Sequence, residues 1–148
     1  MSSGGVVGLP GRHPRTGGPM DRMIFVNLPV ADLGAASRFY TGLGFRLDER
    51  FTDEHAACVV VSDTICVMLL VPPFFAQFAP TPVSDPQRTT QVVNCLSAST
   101  RDEVDDLVRR AVAAGGTEYR EPQEDGGMYG RSFTDIDGHA WEVMHMAA

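Results

Sequence analysis

The order of strand-like and helix-like segments occurs twice along this chain. Residues 23–30 resemble a strand that ends at a proline, and residues 32–43 place apolar side chains at helical spacing after a capping aspartate. Three strand-like runs follow, and the last two are joined at Ser62-Asp63. The same order returns after residue 90. A repeat of roughly 70 residues predicts an α+β fold of two βαβββ modules, whose sheets form an open, barrel-like wall around a cavity.

The composition of the N-terminal segment and of the stretch between the repeats predicts where the modules begin and end. The first twenty residues are rich in Gly, Pro, Ser and Arg, which favours a flexible leader, with Met20 and Met23 as alternative starts. A proline-rich stretch between the repeats is typical of a linker. We predict a leader at residues 1–22, a first module at 23–71, a linker at 72–90 and a second module at 91–148. The two modules together form one structural domain.

Charge and cysteine usage exclude several classes of partner. The net charge is -7 and the basic residues form no stripe, which argues against a nucleic-acid partner. Apolar runs are shorter than the roughly 20 residues that a membrane-spanning helix needs, and the N-terminus lacks the apolar core of a signal peptide. The three cysteines lie in apolar runs without a C-x-x-C pair, which predicts reduced thiols in a cytoplasmic protein.

A single carboxylate interrupts an apolar face near the C-terminus. In the predicted last strand, Ala140, Glu142 and Met144 share one face because side chains alternate along a strand. Glu142 is either a cavity carboxylate that meets a ligand cation or a metal, or a buried acid paired with Asn27 or Arg131. An unpaired buried carboxylate would be costly, so a partner is expected under both interpretations.

The doubled order resembles the glyoxalase, bleomycin-resistance and extradiol-dioxygenase superfamily, also called vicinal oxygen chelate proteins. The motifs "VADLGAASRFYTGLGF" and "YGRSFTDIDGHAWEV" carry this resemblance, which extends over residues 23–146. It implies a homodimer and, in the metal-dependent members, four inward-facing ligands to one divalent metal. Those ligands lie on the first and fourth strands of each module.

The resemblance also implies which residues occupy the four ligand positions. They fall at Phe25, Val67, Val93 (or one residue to either side of it) and Glu142. Phenylalanine and valine cannot donate to a metal, and one carboxylate does not make a site for zinc, nickel or iron. The resemblance therefore points to the metal-free branch of the superfamily, with no cofactor and with Phe25, Val67 and Val93 as apolar wall.

Three polar side chains complete the predicted ligand site. Asn27 shares a strand face with Phe25, two residues away, and offers an amide to a ligand. Tyr129 and Arg131 alternate on the seventh strand, so they share a face, and Arg131 is suited to clamp an anion or to pair with Glu142. His139 and Glu142 lie on opposite faces of one strand, which argues against a shared metal.

Three functions remain as hypotheses. The first is a binder of a small amphipathic molecule in a metal-free pocket, which is favoured. The second is a metal-dependent lyase or dioxygenase, such as a lactoylglutathione lyase-like enzyme. The third is a metal-free isomerase or lyase in which Glu142 acts as a general base.

Overall fold

The computed structural model describes residues 21–147, and the predicted leader lies outside the described residues except for its last two. The first half contains β1 Ile24–Pro29, α1 Leu33–Gly42, β2 Arg46–Leu47, β3 Ala56–Ser62, β4 Ile65–Leu70 and α2 Pro72–Ala76. The second half contains β5 Val93–Ser97, α3 Arg101–Ala113, β6 Gln123–Asp125, β7 Met128–Thr134 and β8 Ala140–Met146. No helix within residues 21–147 is long and apolar enough to cross a membrane.

Both halves have the predicted βαβββ order and the same sheet topology. The first sheet has the strand order β1-β4-β3-β2, and the second has the corresponding order β5-β8-β7-β6. In each sheet the first and last strands of the module pair in parallel, while the remaining pairs are antiparallel. The predicted α+β class and the duplication are confirmed. Among the described residues the sheets do not close into a barrel.

The contacts divide the described residues into two compact units that do not coincide with the two halves of the sequence. One unit contains the residues up to Ser37 together with Phe45–Ala79. The other contains Arg38–Gly44 and the residues from Pro80 onward. The second half of α1 and the turn after it therefore belong to the unit that carries the C-terminal sheet. The boundaries given above for the leader, modules and linker stay predictions.

The N-terminal sheet is apolar on both sides of β3 and β4. Ala57, Val59 and Val67 are fully buried on one side, and Cys58 and Cys66 are fully buried on the other. Phe25, Phe51 and Met68 pack against the cysteine side. Burial on both sides explains why these strands read as continuous hydrophobic runs rather than as an alternating pattern.

Helix α3 begins with a side-chain cap and packs on the C-terminal sheet. The hydroxyl of Thr100 accepts a hydrogen bond from the backbone N–H of Glu103 at 3.0 Å, which satisfies one of the free donors of the first turn. Val104, Val108 and Ala111 are fully buried on the face that meets β7 and β8. The acidic first turn and the apolar stripe are the features from which the sequence predicted this helix.

A buried hydrogen-bond chain links the second half of α1 to the β7–β8 turn. The indole Nε1 of Trp141 donates to the hydroxyl oxygen of Tyr40 at 3.0 Å, and the Tyr40 hydroxyl donates to Asp135 Oδ2. The other carboxylate oxygen of Asp135 accepts from the backbone N–H groups of Asp137 and His139 at 3.0 and 2.9 Å. Burial, and then the charge of Asp135, raise the pKa of Tyr40 well above its usual value, so the hydroxyl keeps its proton.

Gly138 permits the tight turn between β7 and β8. Its φ is +103°, a region that side-chain-bearing residues avoid, and a Cβ here would lie 2.8 Å from the carbonyl oxygen of Pro86. Glycine is required at this position both by the backbone conformation and by the close approach of the preceding segment.

We expect Tyr40→Phe to lower the free energy of unfolding by about 1–3 kcal/mol, because the carboxylate of Asp135 and the indole N–H of Trp141 each lose a buried partner. Urea unfolding monitored by the fluorescence of Trp141, the single tryptophan, measures this loss. Tyr119→Phe is the matched control, since Tyr119 is 40% exposed. A loss for Tyr40→Phe no larger than that of the control would contradict the stabilising role of the chain.

Candidate functional site

One side of the C-terminal sheet carries Glu142, and we refer to it as the Glu142 face. Residues that pair across neighbouring strands point to the same side of a sheet. Glu142 pairs with Ser132 on β7 and with Cys95 on β5. The other pairs on this side follow from the same register and add Val93, Ser97, Gly130, Ala140 and Met144.

Glu142 is half-buried, and its ion-pair partner is Arg120. The guanidinium Nη2 lies 3.0 Å from Glu142 Oε2, and the exposed fractions of the two side chains are 53% and 28%. The structure thus gives Glu142 a partner other than Asn27 or Arg131, the two considered from the sequence. Because the arginine is largely solvated, a pair of this kind typically contributes less than about 1 kcal/mol after solvent screening.

Ser132, which pairs with Glu142 across the sheet, places a buried hydroxyl without a partner on the same face. The residue is 1% exposed. Within residues 21–147, its Oγ has no partner at ordinary hydrogen-bond distance, although the Tyr119 hydroxyl lies near enough for Ser132 to lower its pKa by weak hydrogen bonding. A buried hydroxyl left unpaired typically costs about 1–3 kcal/mol. Such a group is suited to a partner that comes from outside the chain.

The charge of Glu142 acts on two neighbouring side chains. Burial first, and then the charge of Glu142, raise the pKa of the Tyr119 hydroxyl, while Arg120 and Ser132 act in the opposite direction. Burial and then Glu142 also raise the pKa of the Cys95 thiol. Cys95 therefore remains a protonated thiol near neutral pH.

Apolar side chains around Glu142 are exposed rather than packed. Val93 is 47% exposed and Met146 is 64% exposed. Met144 on β8 is half-buried. The Glu142 face therefore combines one carboxylate with uncovered apolar surface.

Tyr129 and Arg131 share a face, as predicted, but it is the face that meets α3. Arg131 pairs with Val143, whose side lies opposite to that of Glu142. Its guanidinium donates to Asp105 at 2.9 Å and to both carboxylate oxygens of Glu118 at 2.7 and 2.9 Å. The expected pairing of Arg131 with Glu142 is wrong, because the alternation of side chains separates them. A ligand-binding role for Tyr129 and Arg131 stays a prediction.

Tyr129 takes part in the same network. Its hydroxyl donates to Asp105, and the guanidinium of Arg101 lies over its ring, 4.0 Å from the centroid. The hydrogen bond from Tyr129, followed by that from Arg131, holds the pKa of Asp105 below its usual value. Together these contacts fix α3 to β7 and use the polar groups of both side chains.

The N-terminal sheet places three predicted wall and ligand residues differently. Phe25 and Asn27 pair with Cys66 and Met68 and share their face. Val67 instead pairs with Val26, lies on the opposite face and is fully buried. The prediction that Val67 lines the same wall as Phe25 is therefore wrong, because the next residue, Met68, lies on that face instead.

Asn27 is exposed and its amide bonds locally. Its Nδ2 donates to the carbonyl oxygen of Phe25 at 3.3 Å. The amide thus satisfies a backbone group of its own strand, and the residue lies on the exposed surface of β1. The ligand-binding role of Asn27 stays a prediction.

The residues present do not fit the divalent metal that the resemblance implies for metal-dependent members. Within residues 21–147, no group of three or more His, Cys, Asp or Glu side chains could hold a metal ion. The register replaces Val67 by Met68 on the wall face, and a thioether is a weak donor to zinc or iron. Glu142 and Cys95 alone make too few ligands.

Sequence reasoning missed Ser132, Arg120, Tyr119 and Cys95 as members of the site. Ser132 could have been predicted from the sequence. Ser132 and Glu142 lie equally far from Asp137 in the hairpin turn, so they are expected to pair across β7 and β8. Arg120 and Tyr119 lie between α3 and β6, in a segment without apolar periodicity. Nothing in the sequence indicated which side chain of this segment reaches Glu142.

Comparison with known proteins agrees with the fold. Residues 22–62 match the family described as bleomycin resistance protein-like N-terminal. A hypothetical protein from S. aureus, SA1046, is 28% identical with a TM-score of 0.71, and the match covers 86% of this chain and 95% of that protein. No curated protein matches the sequence.

Two further solved structures show the same fold at lower identity. A glyoxalase/bleomycin resistance protein/dioxygenase family enzyme from Burkholderia phytofirmans PsJN is 22% identical, with a TM-score of 0.71 and coverage of 86% of this chain and 100% of the enzyme. A bleomycin resistance determinant encoded on the transposon Tn5 is 18% identical, with a TM-score of 0.61 and the same two coverages.

The chain thus shares its duplicated βαβββ fold with solved glyoxalase and bleomycin-resistance proteins, and residues 22–62 match the bleomycin resistance protein-like N-terminal family.

We expect Arg131→Gln to lower the free energy of unfolding by about 2 kcal/mol, because the half-buried carboxylate of Glu118 loses a charge-assisted pair of hydrogen bonds. Chemical denaturation measures the loss. Arg109→Gln is the control, since Arg109 is 67% exposed and pairs with Asp106 on the same helix. Equal stabilities of the two variants would show that the Arg131 network is not structural.

We expect Glu142→Gln to speed alkylation of Cys95. The carboxylate raises the pKa of this thiol, so its removal lowers the pKa and increases the thiolate fraction at a fixed pH near 8. Cys58 and Cys66 are fully buried, and burial raises the pKa of Cys58 to about 12, so they react slowly in the folded chain.

Iodoacetamide labelling followed by peptide mass spectrometry measures this rate. Glu124→Gln is the matched control, because Glu124 pairs with Arg101 and is not among the groups that act on Cys95. An unchanged rate in Glu142→Gln would mean that Glu142 does not influence the thiol.

Proposed function

We propose that this protein binds a small, largely apolar molecule with a polar group on the Glu142 face of its C-terminal sheet, and that it binds the molecule without a metal. The observation that carries the proposal is the exposed apolar surface around Glu142, with Val93 at 47% and Met146 at 64% exposure. Soluble proteins rarely leave such a surface uncovered next to a half-buried carboxylate unless it meets a ligand or a partner.

Charge on this face supports binding rather than a purely structural role for Glu142. Its partner Arg120 is more than half exposed, so the ion pair is not a packed core contact. Ser132 adds a buried hydroxyl that lacks a partner within residues 21–147. A ligand that forms a hydrogen bond with the Ser132 hydroxyl would satisfy a group that is shielded from water.

The donor set favours a binder over a metal-dependent lyase or dioxygenase. Glu142 and Cys95 are the potential donors on the central strands of this face, and neither a histidine nor a second carboxylate lies beside them in the register. The use of Glu142 as a general base stays a prediction, as do the homodimer and the cytoplasmic location. Likeness to the Tn5 determinant supports the fold alone.

Val93→Asp is the variant that tests the proposal, because a carboxylate in the apolar wall should oppose binding of a neutral apolar molecule. We expect it to weaken the binding of the neutral dye Nile red by about tenfold, which is the effect of roughly 1.4 kcal/mol. Fluorescence titration of the full chain measures the dissociation constant.

Val112→Asp is the matched control, since Val112 is also a half-exposed valine, at 48%, but lies on α3. Absence of dye binding to the unmodified protein, or equal weakening by the two variants, would overturn the proposed site. Native mass spectrometry of freshly purified protein would additionally identify a small molecule carried through purification.

A further inference from the structure

Ser132 and Glu142 form a fixed polar pair on the central strands of the C-terminal sheet. They are direct cross-strand neighbours on β7 and β8, which places their Cβ atoms about 4.5–5.5 Å apart. The Ser132 hydroxyl is buried, and within residues 21–147 it has no partner at ordinary hydrogen-bond distance; the Tyr119 hydroxyl is a weak neighbour. A ligand group located between the two side chains would contact one carboxylate and one hydroxyl.

Arg120 shows which chemistry Glu142 accepts. Its guanidinium lies 3.0 Å from Glu142 Oε2, and it extends from the segment between α3 and β6 rather than from a strand of the sheet. The arginine is 53% exposed. Another cation can readily displace a solvated loop arginine from Glu142, because the ion pair is weak. The displaced side chain also regains conformational freedom.

We propose that Ser132 and Glu142 form a subsite for a compact cationic nitrogen, a primary ammonium group of the ligand, and that Arg120 is its internal competitor. The inference rests on the proposed function and names the polar group of that ligand. An ammonium carries three donors on one atom, so a single nitrogen serves Glu142 and the Ser132 hydroxyl together.

The charge around the subsite favours a cation over an anion. Besides burial, the charge of Glu142 raises the pKa values of both Cys95 and Tyr119, and at Tyr119 it outweighs the opposite effect of Arg120. Arg131 on β7 is held on the opposite face by Asp105 and Glu118. On β5, β7 and β8, Glu142 is therefore the charged side chain that an anionic ligand would meet on this face.

The test compares three probes that share one aromatic ring and differ in their polar group: benzylamine, benzyl alcohol and benzoate. Ligand-observed NMR with the full chain gives the three dissociation constants. We expect benzylamine, which is cationic at neutral pH, to bind more tightly than the alcohol, and benzoate to bind most weakly. Protection of Cys95 from alkylation by benzylamine locates the binding, since Cys95 pairs with Glu142.

Two variants separate the roles of the competitor and of the hydroxyl. We expect Arg120→Ala to tighten benzylamine binding by about threefold, because the ligand no longer displaces an ion-pair partner. We expect Ser132→Ala to weaken it by roughly threefold to tenfold, the effect of one hydrogen bond. Arg109→Ala, which removes an exposed arginine from α3, should leave binding unchanged and controls for net charge.

The outcomes distinguish this inference from the proposed function. Equal binding of benzyl alcohol and benzylamine, or weaker benzylamine binding in Arg120→Ala, overturns the inference while the apolar site stands. Absence of binding for all three probes, together with absence of Nile red binding, overturns both. Thermal unfolding of each variant verifies folding, and Ser132→Ala should be at least as stable as the unmodified chain because it removes an unpaired buried hydroxyl.

Discussion

The carboxylate of Asp135 is the constraint on which the C-terminal unit depends. A buried acid is tolerated only when its oxygens are paired, and here Tyr40 supplies a hydroxyl while the β7–β8 turn supplies two backbone donors. The same carboxylate therefore fixes the end of α1 and the turn that sets the register of β7 against β8. That register in turn places Ser132 beside Glu142 and Arg131 on the other side of the sheet.

The fold was predictable from the sequence because its determinants are local and occur twice. Helix periodicity, the glycine ends of helices and the two hairpin turns are each visible in the letters, and the structure reproduces the βαβββ order. The sequence predicted less well on which face of the sheet each individual side chain lies. Val67 was assigned to the wall although Met68 occupies it, since a shift of one residue moves a strand's side chains to the opposite face.

The site was predictable only in part, for a physical reason. Glu142 stands out because one carboxylate interrupts an apolar face, and Tyr129 and Arg131 were correctly assigned to a common face. Their surroundings depend on side chains outside the strand: Arg131 pairs with Asp105 on α3 and with Glu118 in the segment that follows this helix. Arg120 reaches Glu142 from a segment without a repeating pattern, and only the folded chain shows such a contact.

The membership of Arg38–Gly44 in the C-terminal unit has a consequence for dissecting the molecule. A proteolytic cut in the proline-rich stretch between the halves would leave a C-terminal fragment without Phe39 and Tyr40. Phe133 would then lose its contact with Phe39, Trp141 would lose its contact with Tyr40, and Asp135 Oδ2 would lose the hydrogen bond from Tyr40. Despite its internal duplication, the chain is not two independent folding units joined end to end.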